Sequence, residues 1–593
     1  MSTIINIHQH FARYFKDKNI EPYLYELSRL LGEGHICIDP LDLDIASLKE
    51  AGYVEQPSID HLNNTELVSS GDRKTPFVYA SERLYMQRYY YYESLILNKI
   101  KRITTLERDS LPERLRKLKE LIEEIRQLFA GSDKNTGVTD WQWLAAISTV
   151  LHDFSIITGG PGTGKTTTVA KVLSLLLHIN KDIKIALCAP TGKAAARMAE
   201  SLRKAAYGSS SFIRDRFEQL VPATIHRLLG PIAGHPDFKH NSTHPLEADV
   251  IIVDEASMID VALMAKLLDA VPDGCKLILL GDKDQLASVE AGSLFGDLCN
   301  ALPSINDFSD TFLNDIKPLL PRGAILPSPY KGENENHLLF EHIVALKQSH
   351  RFSDDAGIGR FSKAILNNDA NEIKAFWGNQ DKQLQIEENY NDQLIENFVL
   401  GYKAFIEEPD IQKALFKLNR IRVLCAVRET TYGVEAINKR IEKILRQEAG
   451  LQPFQPYYEH RPIMVTSNNQ QLNLFNGDIG ILRKDESGVM KAWFETADGS
   501  LRSVLPGFIG SLETAFAMTI HKSQGSEFNE VLVILPESEQ AGKILTRELL
   551  YTAVTRAREK VLILGERQTL LNAASVGIHR GSGVKRRLQQ NLF

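Results

Sequence analysis

The feature that most constrains this chain is a glycine-rich segment at positions 159–166, with the sequence GGPGTGKT. It follows a short apolar run, SIIT (155–158), and precedes TTTVAKVLSLLLHI (166–179), whose apolar spacing predicts a helix. This context matches the P-loop pattern G-x-x-x-x-G-K-[ST], in which backbone amides at a helix N-terminus hold phosphates. A chance glycine-rich turn is the alternative, and the flanking strand and helix weigh against it. The segment therefore predicts a nucleotide-binding α/β domain.

The P-loop also predicts which groups would hold ATP and Mg²⁺. The Lys165 ammonium would reach the β- and γ-phosphates, and the Thr166 hydroxyl would be a ligand of Mg²⁺. Contacts to the nucleotide are expected along the whole segment, from Gly159, Gly160, Pro161, Gly162, Thr163, Gly164, Lys165, Thr166 and Thr167.

Two acidic segments follow later apolar runs. Asp254 and Glu255 come directly after DVIIV (249–253), which fits a Walker B site where Asp254 holds Mg²⁺ and Glu255 activates the attacking water. A solvated acidic turn is the alternative. GDKDQL (281–286) ends the next run, and Gln285 there would contact the γ-phosphate, although Asp-Gln is a common turn sequence.

Short apolar runs recur along the chain in a pattern typical of buried parallel strands. The first group is predicted to form one α/β core, and RIRVLCAV (420–427), EVLVIL (530–535) and KVLILG (560–565) to form a second. Between 461 and 506 the pattern changes to short strands with a hairpin signal at Asp498-Gly499. We therefore predict two P-loop-type cores with a small β-barrel inserted at about 456–512.

The composition excludes several classes of protein. The 593 residues allow about four domains. A net charge of -6 argues against bulk-charge binding of nucleic acid, but 69 lysines and arginines are enough for a local basic channel.

The N-terminus has no signal-peptide pattern, and no apolar run is long enough to span a membrane, so a cytoplasmic location is expected. The cysteines lack metal-site spacing and are expected to be reduced; they are Cys37, Cys188, Cys275, Cys299 and Cys425.

Three domains are predicted: 1–135, 136–345 and 346–593. The first carries no phosphate-binding motif, is expected to be mostly helical, and ends in a charged helix at 111–129 and a linker, GSDKN (131–135). Residues 300–345 are irregular and are expected to be a surface insertion. The tyrosines at 89–92 favour a half-buried helix over a base-stacking platform.

The motifs together resemble those of superfamily 1 DNA helicases, from residue 140 to the C-terminus. The resemblance rests on DWQWLAA (140–146), the P-loop, APTGKAAARM (189–198), TIHRLLG (224–230), VDEAS (253–257), GDKDQLASVEAG (281–292), QSHRF (348–352), AMTIHKSQGSEF (517–528) and LLYTAVTRARE (549–559). It implies two RecA-like cores with an SH3-like barrel, an adenine contact from Gln142, and arginines Arg351 and Arg556 that reach the γ-phosphate from the second core. Contacts to a DNA strand are implied for Thr191, Thr224, His226, Thr519, His521, Lys522 and Ser523.

Within that superfamily the chain resembles the RecD family, notably in TGKAAARMAESL, SVEAGSLFGDL and NLFNGDIGIL. The resemblance implies 5′-to-3′ movement on single-stranded DNA inside a RecBCD-type helicase–nuclease (exodeoxyribonuclease V) that repairs double-strand breaks, with RecB-like and RecC-like partner subunits in a heterotrimer. A stand-alone RecD-like helicase and an ATP-controlled scaffold remain alternatives. No nuclease centre is recognisable, so any nuclease is expected in a partner.

Two further segments receive predictions from the same resemblance. Residues 231–248 are expected to form a short β-hairpin pin at the duplex fork, and a plain surface loop is the alternative. The N-terminal domain is expected to dock on the partner subunits, because it is rich in tyrosine, a residue type enriched at protein interfaces. Those tyrosines could instead fill the domain's own core.

Overall fold

A computed structural model describes residues 6–53, 57–129, 137–206, 210–321, 324–352, 356–378, 381–453, 455–469, 471–496, 499–537 and 544–590. The predicted linker at 131–135 and Asp498 of the predicted hairpin turn lie outside these residues. None of the helices in the described segments combines the length and apolarity that a membrane span requires.

The N-terminal part has its own small hydrophobic core. Its helices are α1 (Ile7–Tyr14), α2 (Glu21–Gly32), α3 (Ile45–Glu50) and α4 (Asp60–Asn63). A four-stranded sheet in the order β1-β4-β3-β2 accompanies them, with β1 at Cys37–Ile38, β2 at Val68–Ser69, β3 at Phe77–Ala80 and β4 at Arg83–Met86. The Asn6 side chain caps α1 by accepting from two backbone amides of its first turn.

Three helices connect this part to the first core: α5 (Gln87–Leu106), α6 (Leu111–Glu120) and α7 (Ile122–Leu128). The single helix predicted over 111–129 is thus two helices. Ile100 of α5, Leu118 of α6 and Ile125 of α7 are fully buried in the hydrophobic clusters of the first core. The first core covers these apolar faces, so the predicted N-terminal domain packs against it through α5, α6 and α7.

The first core is a six-stranded parallel sheet in the order β10-β5-β9-β8-β6-β7. The strands are β5 (Phe154–Thr158), β6 (Ile185–Ala189), β7 (Ala223–Thr224), β8 (Val250–Val253), β9 (Lys276–Gly281) and β10 (Ile343–Ala345). The helices are α8 (Trp141–Leu151), α9 (Lys165–Ile179), α10 (Gly192–Ala205), α11 (Ser211–Gln219), α12 (Ile225–Leu229), α13 (Val261–Ala270), α14 (Leu294–Cys299) and α15 (Asp310–Ile316). Parallel pairing brings the carboxyl ends of the strands, and with them the motifs, to one edge.

Residues 300–345 are more than the irregular surface insertion that was predicted. They contribute α15 and the edge strand β10, which pairs with β5 in parallel. Phe308, Leu313 and Ile316 are buried in the first core. The apolar residues here are too few in a row to show a period, so only packing reveals their role.

The second core is a five-stranded parallel sheet in the order β11-β20-β19-β12-β18. The strands are β11 (Leu384–Glu387), β12 (Ile421–Cys425), β18 (Ala517–Thr519), β19 (Phe528–Ile534) and β20 (Ala557–Leu564). The helices are α16 (Gly357–Leu366), α17 (Ala370–Lys374), α18 (Asp392–Val399), α19 (Lys403–Ile406), α20 (Ile411–Leu418), α21 (Val434–Ala449), α22 (Arg547–Val554) and α23 (Arg567–Ser575). The last helix, α24 (Val584–Gln590), packs on the first core, where Val584 and Leu588 belong to the same hydrophobic cluster as Ile100 of α5. The predicted fold class, α/β with two RecA-like cores, is confirmed.

An antiparallel sheet is inserted between β12 and β18 in the chain, where the small β-barrel was predicted. Its order is β16-β15-β14-β13-β17, and it has a hydrophobic core of its own. The strands are β13 (Pro462–Val465), β14 (Ile479–Lys484), β15 (Met490–Glu495), β16 (Leu501–Val504) and β17 (Leu512–Thr514). Among the described residues no ladder joins β16 to β17, so closure into an SH3-like barrel stays a prediction.

Candidate functional site

The P-loop connects β5 to α9, as its sequence context predicted. Gly162 and Gly164 have φ of +80° and +87°, a region that side chains rarely adopt. A Cβ at Gly162 would also collide with Arg351. The Lys165 ammonium folds back on the loop and donates to the carbonyl oxygens of Gly159 at 2.6 Å and Gly160 at 3.3 Å. The loop thus holds its own cation at the position where phosphates would bind.

A cavity of about 290 Å³ lies between the two cores and brings most of the predicted nucleotide residues together. The first core contributes the loop from Pro161 to Thr167 together with Asp254, Glu255 and Gln285. Arg351 and Arg556 line the same cavity from the segments assigned to the second core. Pro161 and Arg556, far apart in the chain, therefore line one cavity.

The acidic pair after β8 is strongly perturbed by its surroundings. Burial and the neighbouring Glu255 together raise the pKa of Asp254 to about 6, although Lys165 opposes them. Glu255 has a left-handed backbone, with φ of +52°, and its amide donates to Asp254 Oδ1 at 2.9 Å. A cation placed beside these carboxylates would favour their ionised forms.

Asp282 links the two cores at the edge of the cavity. Its Oδ2 accepts from Gln285 Nε2 at 3.0 Å and from the Tyr551 hydroxyl of the second core at 3.1 Å. Burial raises the pKa of Asp282 to about 6, while Lys165 lowers it. The sequence reasoning missed Asp282 and Tyr551, although both lie within the quoted motifs.

Glu527 is the centre of an arginine cluster that the sequence reasoning also missed. Its Oε1 lies 2.8 Å from both Arg197 of α10 and Arg351, and its Oε2 lies 2.7 Å from Arg558. Burial alone would raise the pKa of Glu527, but the arginines hold it well below its usual range. Glu527 and Arg197 stand in two of the quoted motifs, yet nothing in the sequence pairs them.

Arg556 is held by the second core and is only 3% exposed. Its Nε donates to the Thr552 carbonyl at 3.1 Å and its Nη1 to Ser526 O at 3.3 Å. Burial lowers its pKa, although Glu255 and Glu527 oppose that effect. In the described part of the chain, Arg351 Nη1 is buried without a hydrogen-bond partner. Both arginine side chains line the nucleotide cavity.

Gln142 lies beside the main cavity rather than in it. At the start of α8 its Nε2 donates to the Thr163 carbonyl at 3.1 Å and lies 3.1 Å from His350 Nε2. It lines a neighbouring cavity of about 290 Å³ that also contains Trp141 and Lys347. The predicted adenine contact would thus lie in the neighbouring cavity, and Thr163 lines both cavities.

The predicted DNA contacts on the first core are helix caps. The Thr191 hydroxyl accepts from the Ala194 amide at 3.2 Å and begins α10. Thr224 caps α12 in the same way. His226 is exposed on α12, and its ring lies 5.6 Å from that of Phe238 in the predicted pin.

The predicted contacts on the second core differ in exposure. The Thr519 hydroxyl accepts from the Lys522 amide at 3.2 Å, and the Lys522 ammonium pairs with Glu513 at 2.9 Å. His521 is half-buried. Ser523 is fully buried and donates to the Ile520 carbonyl at 2.7 Å. The structure therefore does not bring Ser523 to a surface where a strand would pass, because its hydroxyl is used within the turn.

The predicted pin at 231–248 is compact and has no long strands. It has two isolated antiparallel bridges, Pro231 to Phe238 and Asn241 to His244. The Ser242 amide donates to Asp269 on α13 at 3.1 Å. The segment is thus a short two-bridge loop fixed to the first core.

Two family models match this chain, one in each core. The family model described as "AAA domain" matches residues 142–291, and the "UvrD-like helicase C-terminal domain" matches 514–564. The RecBCD enzyme subunit RecD of Mycobacterium tuberculosis (strain ATCC 25618 / H37Rv) is 34% identical over 578 residues, which cover 95% of this chain and 90% of that protein. The ATP-dependent RecD2 DNA helicase of Deinococcus radiodurans is 29% identical over 77% of this chain and 55% of its own length. The crystal structure of Pif1 helicase from Candida albicans aligns with a TM-score of 0.37 at 17% identity, covering 77% of this chain and 98% of that one.

Proposed function

Because the chain belongs to the RecD family of ATP-dependent DNA helicases, we propose that it is the 5′-to-3′ motor subunit of a RecBCD-type helicase–nuclease. The complex would act at duplex DNA ends in double-strand-break repair and homologous recombination. The observation that carries the motor assignment is the cavity in which the P-loop of one core faces Arg351 and Arg556 of the other.

A cavity built from two cores couples hydrolysis to movement. An arginine that reaches the γ-phosphate from a second domain stabilises transition-state charge, an effect of ~10³–10⁵ in rate. Since Arg556 belongs to the second core, its reach toward the phosphate requires the two cores to close. Loss of the phosphate would remove that contact and let the cores separate.

The residues around the P-loop fit a magnesium nucleotide. A hydroxyl from Thr166 and a carboxylate from Asp254 are oxygen ligands of the kind that Mg²⁺ prefers, and both line the cavity. When bound, the ion would neutralise phosphate charge. Lys165 would exchange its loop carbonyls for phosphate oxygens, and Glu255 would orient and deprotonate the attacking water.

Gln285 and Tyr551 would report the state of the nucleotide to the second core. Both donate to Asp282, one from each core. A γ-phosphate that drew Gln285 away would leave the Tyr551 hydroxyl as the remaining donor to that carboxylate. The state of the phosphate would thereby change a contact between the cores.

The exposed side of the cores would carry the DNA strand. The predicted contacts that the structure leaves at least partly exposed are Thr191, Thr224, His226, Thr519, His521 and Lys522. Backbone amides beside the capping threonines and the Lys522 ammonium would contact phosphates. The pin at 231–248 adjoins this path through the contact of Phe238 with His226 and would separate the strands.

The proposed partners are RecB-like and RecC-like subunits, with the N-terminal part as the docking surface. Tyr23, Tyr25 and Tyr85 are buried in the core, so they do not provide that surface. Ile7 and Tyr14 on α1 are 71% and 78% exposed, and these apolar side chains are better candidates.

A stand-alone RecD-like helicase is the second candidate, and the 29% identity to a RecD2 helicase favours keeping it. The identity to a RecD subunit is 34%, against 29% to that RecD2 protein, which favours the subunit assignment. Purification from native cells would separate the two, as a heterotrimer or as a single chain.

Unwinding of tailed duplexes tests the proposed polarity and the role in the complex. Duplexes with a 5′ or a 3′ single-stranded tail are supplied to the chain alone and to the chain with its RecB-like and RecC-like subunits. We expect the chain to unwind the 5′-tailed substrate and Lys165→Gln to abolish this activity. Unwinding of the 3′-tailed substrate alone would refute the polarity.

A further inference from the structure

Three buried ionisable side chains meet away from the P-loop, at the amino ends of β5 and β10. Glu107 lies in the short helical turn Glu107–Asp109 that follows α5. His152 caps the end of α8 and precedes β5, and His342 precedes β10. All three are buried, and none belongs to a motif of the helicase series.

The distances among the three side chains match those of a tetrahedral metal site. Glu107 Oε1 lies 3.2 Å from His152 Nδ1 and 3.4 Å from His342 Nε2. One ligand atom from each residue lies within 4.8 Å of the other two. Ligands at about 2.0–2.2 Å from a tetrahedral ion are about 3.3–3.6 Å apart, so two of the observed distances are close to those of such a site.

The hydrogen bond of His342 directs its second ring nitrogen at the Glu107 carboxylate. Its Nδ1 lies 2.8 Å from the Phe154 carbonyl, which only accepts, so Nδ1 must carry the proton. In a neutral ring Nε2 then has a lone pair, and that lone pair faces the Glu107 carboxylate. Two acceptors that face each other at 3.4 Å would both be satisfied by a cation held between them.

The arrangement around His342 is also that of a metal ligand. Histidines that bind metals commonly donate their second ring N–H to a backbone carbonyl or carboxylate, which orients the ring. The site thus offers two imidazole nitrogens and one carboxylate oxygen as ligands.

The ligand atoms restrict which ion would bind. Asp153 pairs with Arg114 at 2.6 Å and with Lys276 at 3.4 Å, so these cations already have an acid partner. The imidazole ligands disfavour hard ions such as Mg²⁺ and Ca²⁺. Ions that bind imidazole nitrogen strongly, above all Zn²⁺, are favoured.

We propose that Glu107, His152 and His342 bind one zinc-class divalent ion, with a fourth position left for water. The ion would join the end of α5, the beginning of β5 and the beginning of edge strand β10. Its role would be structural, because it fixes the N-terminal helices and the 300–345 segment to the base of the first core.

Cobalt(II) binding to the complete chain tests this proposal. The protein is dialysed against a chelator, freed of it, and titrated with Co²⁺. Zn²⁺ is then added to the cobalt-loaded protein and, in a separate sample, to the metal-free protein. We expect one equivalent of Co²⁺ to give the visible absorption of a four-coordinate site, Zn²⁺ to displace it, and Zn²⁺ to raise the Tm. Mg²⁺ at the same concentration should do neither.

Matched variants locate the site. His342→Gln and Glu107→Gln should lose the absorption, while His235→Gln, at an exposed histidine, and Asp254→Asn, in the nucleotide cavity, should keep it. Absence of the cobalt spectrum in the unsubstituted chain, or its survival in a folded His342→Gln variant, overturns the proposal. If neither variant folds, X-ray absorption of the zinc-loaded complete chain decides, since a first shell without two imidazoles also overturns it.

Discussion

The Arg351 guanidinium donates to the Glu527 carboxylate at a distance of 2.8 Å, so the arginine predicted to reach the γ-phosphate is held by an acid. The same carboxylate oxygen contacts Arg197 of the first core. A phosphate that enters the cavity must therefore compete with Glu527 for these cations. This competition is a means by which nucleotide binding would rearrange contacts between the two cores.

Replacement of Glu527 should strengthen nucleotide binding. Glu527→Gln keeps the shape but removes the charge that holds Arg197 and Arg351, and a charged hydrogen bond contributes about 1.5–3 kcal/mol. We expect roughly tenfold or tighter binding of a non-hydrolysable ATP analogue, measured by titration calorimetry. Glu559→Gln, at an exposed glutamate of the same core, is the control and should bind as the parent does. Weaker binding in the Glu527 variant would show that the acid contacts the nucleotide directly.

Replacement of Arg556 should affect the rate more than binding. Arg556→Ala removes a guanidinium from the second core, and loss of an arginine finger costs ~10³-fold or more in kcat. Stopped-flow assays of ATP turnover with single-stranded DNA measure both constants. Arg567→Ala, at an exposed arginine, controls for general effects, and the melting temperature checks the fold. A raised KM with unchanged kcat would contradict the assigned role.

The acid at the Walker B position should lower stability in the absence of nucleotide. The pKa of the Asp254 carboxyl is raised to about 6 in the folded chain, against a value near 4 for the same carboxyl in the unfolded chain. Its contribution to stability is therefore greatest below pH ~4 and is lost as pH rises through about 6. Asp254→Asn removes a carboxylate that is ionised at pH 7.5. We expect its Tm at pH 7.5 to rise by a few degrees while ATP turnover is lost.

Calorimetry at two pH values separates this effect from a general one. At pH 4.5 the Asp254 carboxyl of the parent is mostly protonated, so the Tm difference between variant and parent should shrink. Asp310→Asn, at an exposed acid of α15, should show no such pH dependence. A Tm difference that is equal at both pH values would refute the electrostatic explanation.

Changes in the pin should separate unwinding from ATP turnover. The turn Asn241–His244 contacts the core through the Ser242 amide and Asp269, whereas Phe238 packs against it more deeply. Replacing 241–243 by three glycines should keep ATPase stimulation by single-stranded DNA and reduce duplex unwinding at least tenfold. The same change at 486–488, in a turn of the inserted sheet, is the control. Equal loss of both activities would mean that the turn is only structural.

Assembly should depend on the exposed apolar residues of α1. Ile7→Asp combined with Tyr14→Asp places charges on the proposed docking surface without touching a buried side chain. We expect the variant to keep DNA-stimulated ATPase activity and to lose co-purification with RecB-like and RecC-like subunits. Phe416→Asp, 69% exposed on the second core, should assemble normally. Full assembly of the α1 variant would place the docking surface elsewhere.

Local sequence determined the nucleotide loop and the two cores. A P-loop needs glycines where the backbone is left-handed and a lysine at the helix start, and these requirements fall on adjacent residues. Strands buried on both faces are continuous apolar runs, so β5, β8 and β9 were visible as such. Parallel pairing then forces the motifs after these strands to one edge, which placed Lys165 and Asp254 together.

Tertiary structure alone decided the contacts between distant segments. The arginines around Glu527, the Tyr551 contact with Asp282, and the burial of Ser523 depend on how the two cores meet, and no local pattern records that geometry. The same holds for Glu107 and His152, which lie 45 positions apart and meet only because α5 and α6 pack on the first core. Sequence patterns report backbone periodicity and short-range spacing, whereas these pairs arise from burial, which brings together side chains with no sequence relationship.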